Sequence, residues 1–157
     1  AVVLADRPGL HLAQLADGEE LTVAEVRCEP GATSRQTVRT VLAGQATGTY
    51  LGKVMVDRDA QKTDAEQSVR AMLLDRTATA NAKPELEIYA DDVKCAHGAT
   101  VGELDAQQMF YAMSRGLDPA SARALLLEGF VGGLWDELGP DSEIALAASK
   151  ALREVSR

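Results

Sequence analysis

A change in hydrophobic periodicity near residue 104 divides this chain of 157 residues. Before that point, short runs rich in β-branched or alternating apolar residues recur, and each is bounded by Gly, Pro, Asp or Asn. Because no helical pattern of about ten residues separates these runs, the first part of the chain is predicted to be all-β. The runs that we expect to form strands are 21–28, 36–42, 49–57, 69–74 and 86–89.

The type of β architecture is not decided by this pattern. Asp17-Gly18 is the only Asp-Gly or Asn-Gly pair, so the usual signal of a tight hairpin is nearly absent. A stack of parallel coils needs no tight hairpins, but a β-helix also tends to show a sequence repeat, and none is clear here. The residues alone therefore leave a β-helix and a β-sandwich equally open.

After Leu104 the apolar residues follow a helical period. A first helix is predicted to run to Arg115, with Asp105 as its N-terminal cap. A second helix begins at Asp118-Pro119, a cap followed by proline in the first turn, and runs to about Leu138. A third helix, with an apolar face that includes Leu152, completes the pattern.

Two domains follow from this change of pattern. Residues 1–103 are predicted to form the β core, and residues 104–157 a C-terminal helical domain. Three short helices can hardly bury all their apolar surface among themselves, so we expect them to pack on the β core or on another protein.

Charge and composition exclude several classes of function. The chain carries 16 Lys and Arg against 24 Asp and Glu, and its net charge of −8 makes binding to nucleic acid unexpected. No stretch approaches the ~20 apolar residues of a membrane-spanning helix, so no membrane span is expected. Cys28 and Cys95 are too few for a disulfide framework, which favours a reducing, cytoplasmic location.

The densest group of reactive side chains lies between Asp91 and His97. In an extended strand, Cys95 and His97 share one face, together with Asp91 and Val93 if no bulge intervenes. A thiolate and an imidazole are ligands for iron or zinc, but two ligands make half a site at best. The structural interpretation, a buried thiol beside a hydrogen-bonded histidine, stays open at this point.

Other chemistries have weaker support. His11 and Cys28 are remote in sequence from the Cys95 region, which argues against a self-standing zinc protein. Paired carboxylates could act in a polysaccharide-cleaving β-helix enzyme, although such pairs are more simply solvated strand edges or turns. The pairs in question are Asp57 with Asp59, Asp91 with Asp92, and Glu85 with Glu87. No residue is assigned a catalytic role.

Several runs resemble the SufB/SufD family of iron–sulfur cluster assembly proteins. They are 60–65, 83–102, Phe110-Tyr111 and 114–116. The sequence around Cys95 and His97 resembles the SufD branch more than the SufB branch. The resemblance covers roughly residues 34 to 130. Members of the family are much longer, so this chain resembles only their C-terminal portion.

The resemblance implies a fold and a role. The implied fold is mainly β with C-terminal α: right-handed parallel β-helix coils followed by a helical domain. The implied role is a non-enzymatic scaffold. His97 matches a family histidine at the interface where a nascent cluster assembles, and Cys95 matches a neighbouring cysteine whose role is less defined. The iron–sulfur cluster would be transient and shared with a partner rather than held stably by this chain alone.

The resemblance also implies partners. The family pattern is a pair with SufB and a SufC ATPase docked on the C-terminal helices, and it allows a homodimer of this chain in place of the mixed pair. The expected SufC contacts could equally pack on the β core; they are Leu125, Leu126, Phe130 and Leu134. A SufB-like subunit that holds the cluster directly and a polysaccharide-acting β-helix enzyme are the alternatives.

Overall fold

The computed structural model describes residues 2–6, 9–16 and 19–134, together with the single positions 146, 149, 150 and 152. Eight strands precede two helices. The strands are β1 (Val2–Asp6), β2 (Gly9–Ala16), β3 (Glu19–Cys28), β4 (Thr33–Leu42), β5 (Thr47–Val56), β6 (Asp64–Leu73), β7 (Thr79–Ile88) and β8 (Lys94–Glu103). The helices are α1 (Ala106–Ser114) and α2 (Pro119–Gly132).

The strands form two sheets. One has the order β1-β2-β4-β6-β8, and the other has the order β3-β5-β7. All neighbours are parallel except β1 and β2, which are antiparallel. From β2 to β8 the chain alternates between the two sheets and each time returns one place further along. This arrangement is consistent with a β-helix-like fold, and its parallel pairing disfavours the β-sandwich.

The five strands expected from the sequence coincide with β3 to β7, although each begins earlier than predicted, and β6 and β7 do so by five residues or more. β6 starts at Asp64, and its polar first half conceals a strand because Gln67 faces the interior rather than solvent. β7 starts at Thr79 and contains Pro84, which normally argues against a strand. The proline is tolerated because, among the described strands, β7 lies at the edge of its sheet and pairs with β5 alone.

Both helices begin as predicted. The Asp105 carboxylate accepts hydrogen bonds from the backbone N–H groups of Gln107 and Gln108, at 2.7 and 3.1 Å. The Asp118 carboxylate caps α2 in the same way, through Ala120 N and Ser121 N, both at 3.0 Å. Each cap satisfies N–H groups that have no partner within the helix.

The second helix is shorter than expected. It ends at Gly132, with Gly133 as its C-terminal cap, rather than near Leu138. Two successive glycines explain the early end, because glycine is unfavourable within a helix. The predicted third helix falls mostly outside the described residues. None of the helices in the described part of the chain is long and apolar enough to cross a membrane.

The helical region packs on the outer face of the larger sheet. Val41 of β4 forms one buried cluster with Leu127, Val131, Leu134 and Leu152. The sequence allowed these helices to pack either on the β core or on another protein. The β core covers part of their apolar face.

Candidate functional site

Cys95 and His97 lie on β8, the terminal strand of the larger sheet. They are in register with Ala65 and Gln67 of β6, both of which are buried. Because side chains alternate along a strand, Cys95 and His97 project from the same face, as predicted. His97 is exposed and Cys95 is half-buried, since β8 is the last strand of this sheet among the described residues.

The acidic residues before this strand do not share its face. β8 begins at Lys94, so Asp91 and Asp92 lie in the preceding turn and are exposed. Val93 packs with Cys95 against a buried cluster. The strand geometry therefore brings together only the thiol and the imidazole.

The fold places the second cysteine near the first. Cys28 belongs to the buried cluster against which Cys95 packs. The two cysteines are 67 positions apart, which is why the sequence suggested that Cys28 is remote from Cys95. Burial raises the pKa of the Cys28 thiol, and the nearby Cys95 raises that pKa further. Burial likewise raises the pKa of Cys95, partly opposed by a hydrogen bond with the Ala65 backbone.

These pKa shifts have a chemical consequence. A raised pKa stabilises the neutral thiol, whereas the thiolate is the nucleophile and the metal ligand. Cys95 would bind a metal only with release of a proton, so metal binding there would be pH-dependent. Within residues 19–134 and the single positions described beyond them, no three His, Cys, Asp or Glu side chains are grouped closely enough to hold a metal.

A buried polar network lies between the two sheets next to this site. Gln67 Nε2 donates to Gln36 Oε1 at 2.7 Å and to the Tyr50 hydroxyl at 3.2 Å. The Tyr50 hydroxyl donates to Gln36 Oε1 at 3.3 Å. Burial raises the pKa of Tyr50 to about 12. Sequence analysis missed this network, because glutamine is ordinarily a surface residue and nothing local marks Gln36 or Gln67 as interior.

The network is not fully satisfied. Gln36 Nε2 and Gln67 Oε1 are buried and have no hydrogen-bond partner in the part of the chain that the structure describes. A buried polar atom without a partner is uncommon in folded proteins and calls for an explanation.

The run Gln61-Lys62-Thr63-Asp64 has a structural role. Gln61 Oε1 accepts from Asp92 N at 2.9 Å, and the Lys62 ammonium pairs with the Asp92 carboxylate. Thr63 Oγ1 donates to the Ala60 carbonyl at 2.9 Å. The contacts of Gln61 and Lys62 tie the turn before β6 to the turn before β8, and so fix the segment that leads into Cys95.

Four of the six carboxylates considered for a polysaccharide enzyme pair with Lys or Arg side chains, including Asp92 with Lys62. Glu87 pairs with Lys53, whose hydrogen bond is the largest of the effects that lower the Glu87 pKa. Glu85 pairs with Lys83 at 3.0 Å, and Asp57 lies 3.8 Å from Arg27. A lowered pKa is the opposite of what a general acid needs at neutral pH.

The predicted contact residues on α2 and just after it divide into two groups. Leu134 is 2% exposed and lies in the core, and half-buried Phe130 packs against that core with its ring centroid 5.8 Å from the Arg39 guanidinium carbon. Leu125 is 53% exposed and Leu126 is half-buried. Leu125 and Leu126 line an apolar groove of about 430 Å³ between α1 and α2, with Tyr111 and Leu117 on its other wall.

Comparison with known protein families matches residues 16–130 to one family, described as "SUF system FeS cluster assembly, SufBD core domain". The match covers β3 to β8, α1 and most of α2. It therefore includes Cys95, His97 and the buried polar network.

Curated relatives agree with this match. An iron–sulfur cluster assembly SufBD family protein of Synechocystis is 41% identical over 109 residues, 69% of this chain and 24% of that protein. The iron–sulfur cluster assembly protein SufD of Escherichia coli is 39% identical over 105 residues, 67% of this chain and 25% of that protein. The chloroplastic protein ABCI7 of Arabidopsis thaliana is 44% identical over 118 residues, 73% of this chain and 24% of that protein. The chain thus spans about a quarter of the length of these relatives.

Proposed function

The chain belongs to the SufBD family of the SUF iron–sulfur cluster assembly system, and on that premise we propose that it is the C-terminal part of a SufD-type scaffold subunit. In this proposal the alternating parallel strands are the last coils of a right-handed β-helix, and the helices after β8 belong to a C-terminal helical domain. The subunit catalyses no reaction itself. It holds the partners of the assembly reaction in place.

The exposure of His97 on the terminal strand is the observation that carries this proposal. Its register neighbour Gln67 is 1% exposed, whereas His97 is open to solvent on the same face of the sheet. An imidazole in this position can reach a second subunit that meets the outer edge of β8. A terminal strand also offers a row of backbone N–H and C=O groups that can pair with a partner strand.

We place SufB at this edge, with the nascent cluster between the two subunits. His97 contributes an imidazole, and SufB contributes thiolate. Cys95 lies on the same face but is half-buried and held as a neutral thiol by its raised pKa, so its contribution as a ligand is secondary.

We place SufC on the groove between α1 and α2. Leu125, Leu126 and Tyr111 present a nearly apolar surface there. A bound partner would remove this surface from contact with water. Phe130 and Leu134 contribute differently, because they belong to the cluster that packs the helical region on Val41 of the β core.

The test is replacement of His97 by alanine in the complex assembled with SufB and SufC. Because His97 is exposed, His97→Ala should leave folding and complex formation intact and lower the iron and sulfide content of the assembled complex severalfold. The matched control is His11→Ala, which removes the other histidine of the chain. Equal cluster content in the His97→Ala and unmodified complexes would refute the assignment.

A further inference from the structure

Three side chains occupy one row across the larger sheet. Gln36 on β4 is in register with Gln67 on β6, and Gln67 is in register with His97 on β8. Adjacent parallel strands lie roughly 4.8 Å apart, and registered side chains project from the same face. The row of polar groups therefore runs from the buried interior to the exposed terminal strand.

The hydrogen bonds of Gln67 have a direction along this row. Its Nε2 donates to Gln36 on β4 and to Tyr50 on the opposite sheet. Both acceptors lie away from β8. The oxygen and the nitrogen of an amide diverge from one carbon, so a nitrogen turned toward β4 leaves the oxygen for the β8 side.

That oxygen is the unsatisfied atom. Gln67 Oε1 is buried and has no partner within the described residues. The nearest row position on the β8 side is His97, whose neutral imidazole always carries one N–H donor. The His97 side chain is exposed, so neighbouring side chains leave its dihedrals free to rotate toward Gln67.

We infer that Gln67 is the positioning residue for His97: its Oε1 accepts the imidazole N–H and thereby selects one tautomer and one ring orientation. The other ring nitrogen then carries its lone pair and faces the open edge of β8. Histidine ligands in metal sites are commonly held by such an outer hydrogen bond. The use of that lone pair for iron rests on the proposed function, but the hydrogen bond itself does not.

The tautomer ratio of His97 tests this inference directly. Long-range proton–nitrogen NMR on the full metal-free chain, labelled with nitrogen-15 in histidine, distinguishes the two neutral tautomers at about pH 8.5, where an ordinary imidazole is neutral. The chain has two histidines, and the signals lost in His97→Ala identify those of His97. We expect the ratio of the two tautomers to differ about fivefold from the ratio in a histidine peptide, as one net hydrogen bond would cause.

Gln67→Met should abolish this enrichment, because methionine fills similar volume without the acceptor. Gln36→Met is the matched control, since it breaks the same network at its other end and keeps Gln67 Oε1; there the enrichment should persist. If Gln67→Met does not fold, Gln67→Asn, which withdraws the amide by one methylene, should also lose the enrichment.

Three results would overturn the inference: a peptide-like ratio in the unmodified chain, an enrichment that survives loss of the Gln67 amide, or an equal loss in Gln36→Met. The unmodified ratio decides the matter even if no variant folds. The cluster content of His97→Ala complexes is a separate readout, so failure of the positioning role and failure of the proposed function are distinguishable.

Discussion

The Tyr50 hydroxyl lies 3.2 Å from Gln67 Nε2, so that side chains from the two sheets meet in the interior. Tyr50 belongs to β5 and Gln67 to β6, which are consecutive strands in different sheets. The contact fixes the separation of the sheets directly beside the row that leads to His97. It also accounts for a glycine in the middle of β5.

Gly52→Ala should destabilise the protein. A Cβ at position 52 would lie 2.5 Å from Gln67 Nε2 and from the Tyr50 hydroxyl, closer than atoms can approach, so both side chains would have to move. Overpacking of this kind costs about 1–3 kcal/mol in the free energy of unfolding, which urea denaturation measures.

Gly98→Ala on β8 is the matched control, because a Cβ there meets no atom within 4 Å. Its free energy of unfolding should equal that of the unmodified protein or exceed it slightly, since alanine restricts the unfolded chain. Equal effects of the two substitutions would mean that the interior has room at Gly52.

Tyr50→Phe should lower stability at neutral pH by about 1–2 kcal/mol, because it removes the hydroxyl and leaves its glutamine partners with fewer hydrogen bonds. The measurement is urea denaturation of both proteins as a function of pH. If the two proteins have the same free energy of unfolding at neutral pH, the hydrogen bonds of the Tyr50 hydroxyl make no net contribution to stability.

The same pair of proteins should differ in pH dependence. The pKa of Tyr50 is raised from an ordinary value near 10 to about 12 in the folded protein, so the unfolded chain loses this proton first. The stabilisation from Tyr50 is complete below about pH 10 and is lost as the pH rises toward 12, by about 3 kcal/mol in total. The free energy of unfolding of Tyr50→Phe should not show this decrease at high pH. Parallel pH profiles of the two proteins would contradict the prediction.

Leu125→Ala and Leu127→Ala should separate binding from stability on one helix. Leu125 is 53% exposed in the groove of α2, so its truncation should weaken SufC binding in titration calorimetry with little effect on unfolding. Leu127 is fully buried in the core, so its truncation should cost about 2–5 kcal/mol in the free energy of unfolding.

Unchanged SufC binding by Leu125→Ala would point to a different docking surface. If Leu125→Ala leaves the SufC affinity unchanged while the complex still forms, the groove between α1 and α2 is not the contact. The Leu127→Ala variant controls for loss of binding that follows from unfolding alone.

The local features of this protein were readable from its sequence. Asp105 and Asp118 mark the starts of both helices because a capping carboxylate acts on N–H groups two or three residues away. The common face of Cys95 and His97 follows from the two-residue period of a strand. Motif resemblance added the family, which the comparison of residues 16–130 confirmed.

Only the tertiary structure decided what meets in the interior. Gln36 and Gln67 are 31 positions apart and Tyr50 and Gln67 are 17 apart, so no local period reveals that they share a buried network. The same holds for Cys28 on β3 and Cys95 on β8, which belong to different sheets and contribute to one cluster. Residue types and caps act over a few positions, whereas these contacts depend on how the chain alternates between two sheets. Sequence therefore determined that Cys95 and His97 share one face of a strand, and the stacking of strands decided that His97 stands exposed at the end of a buried polar row.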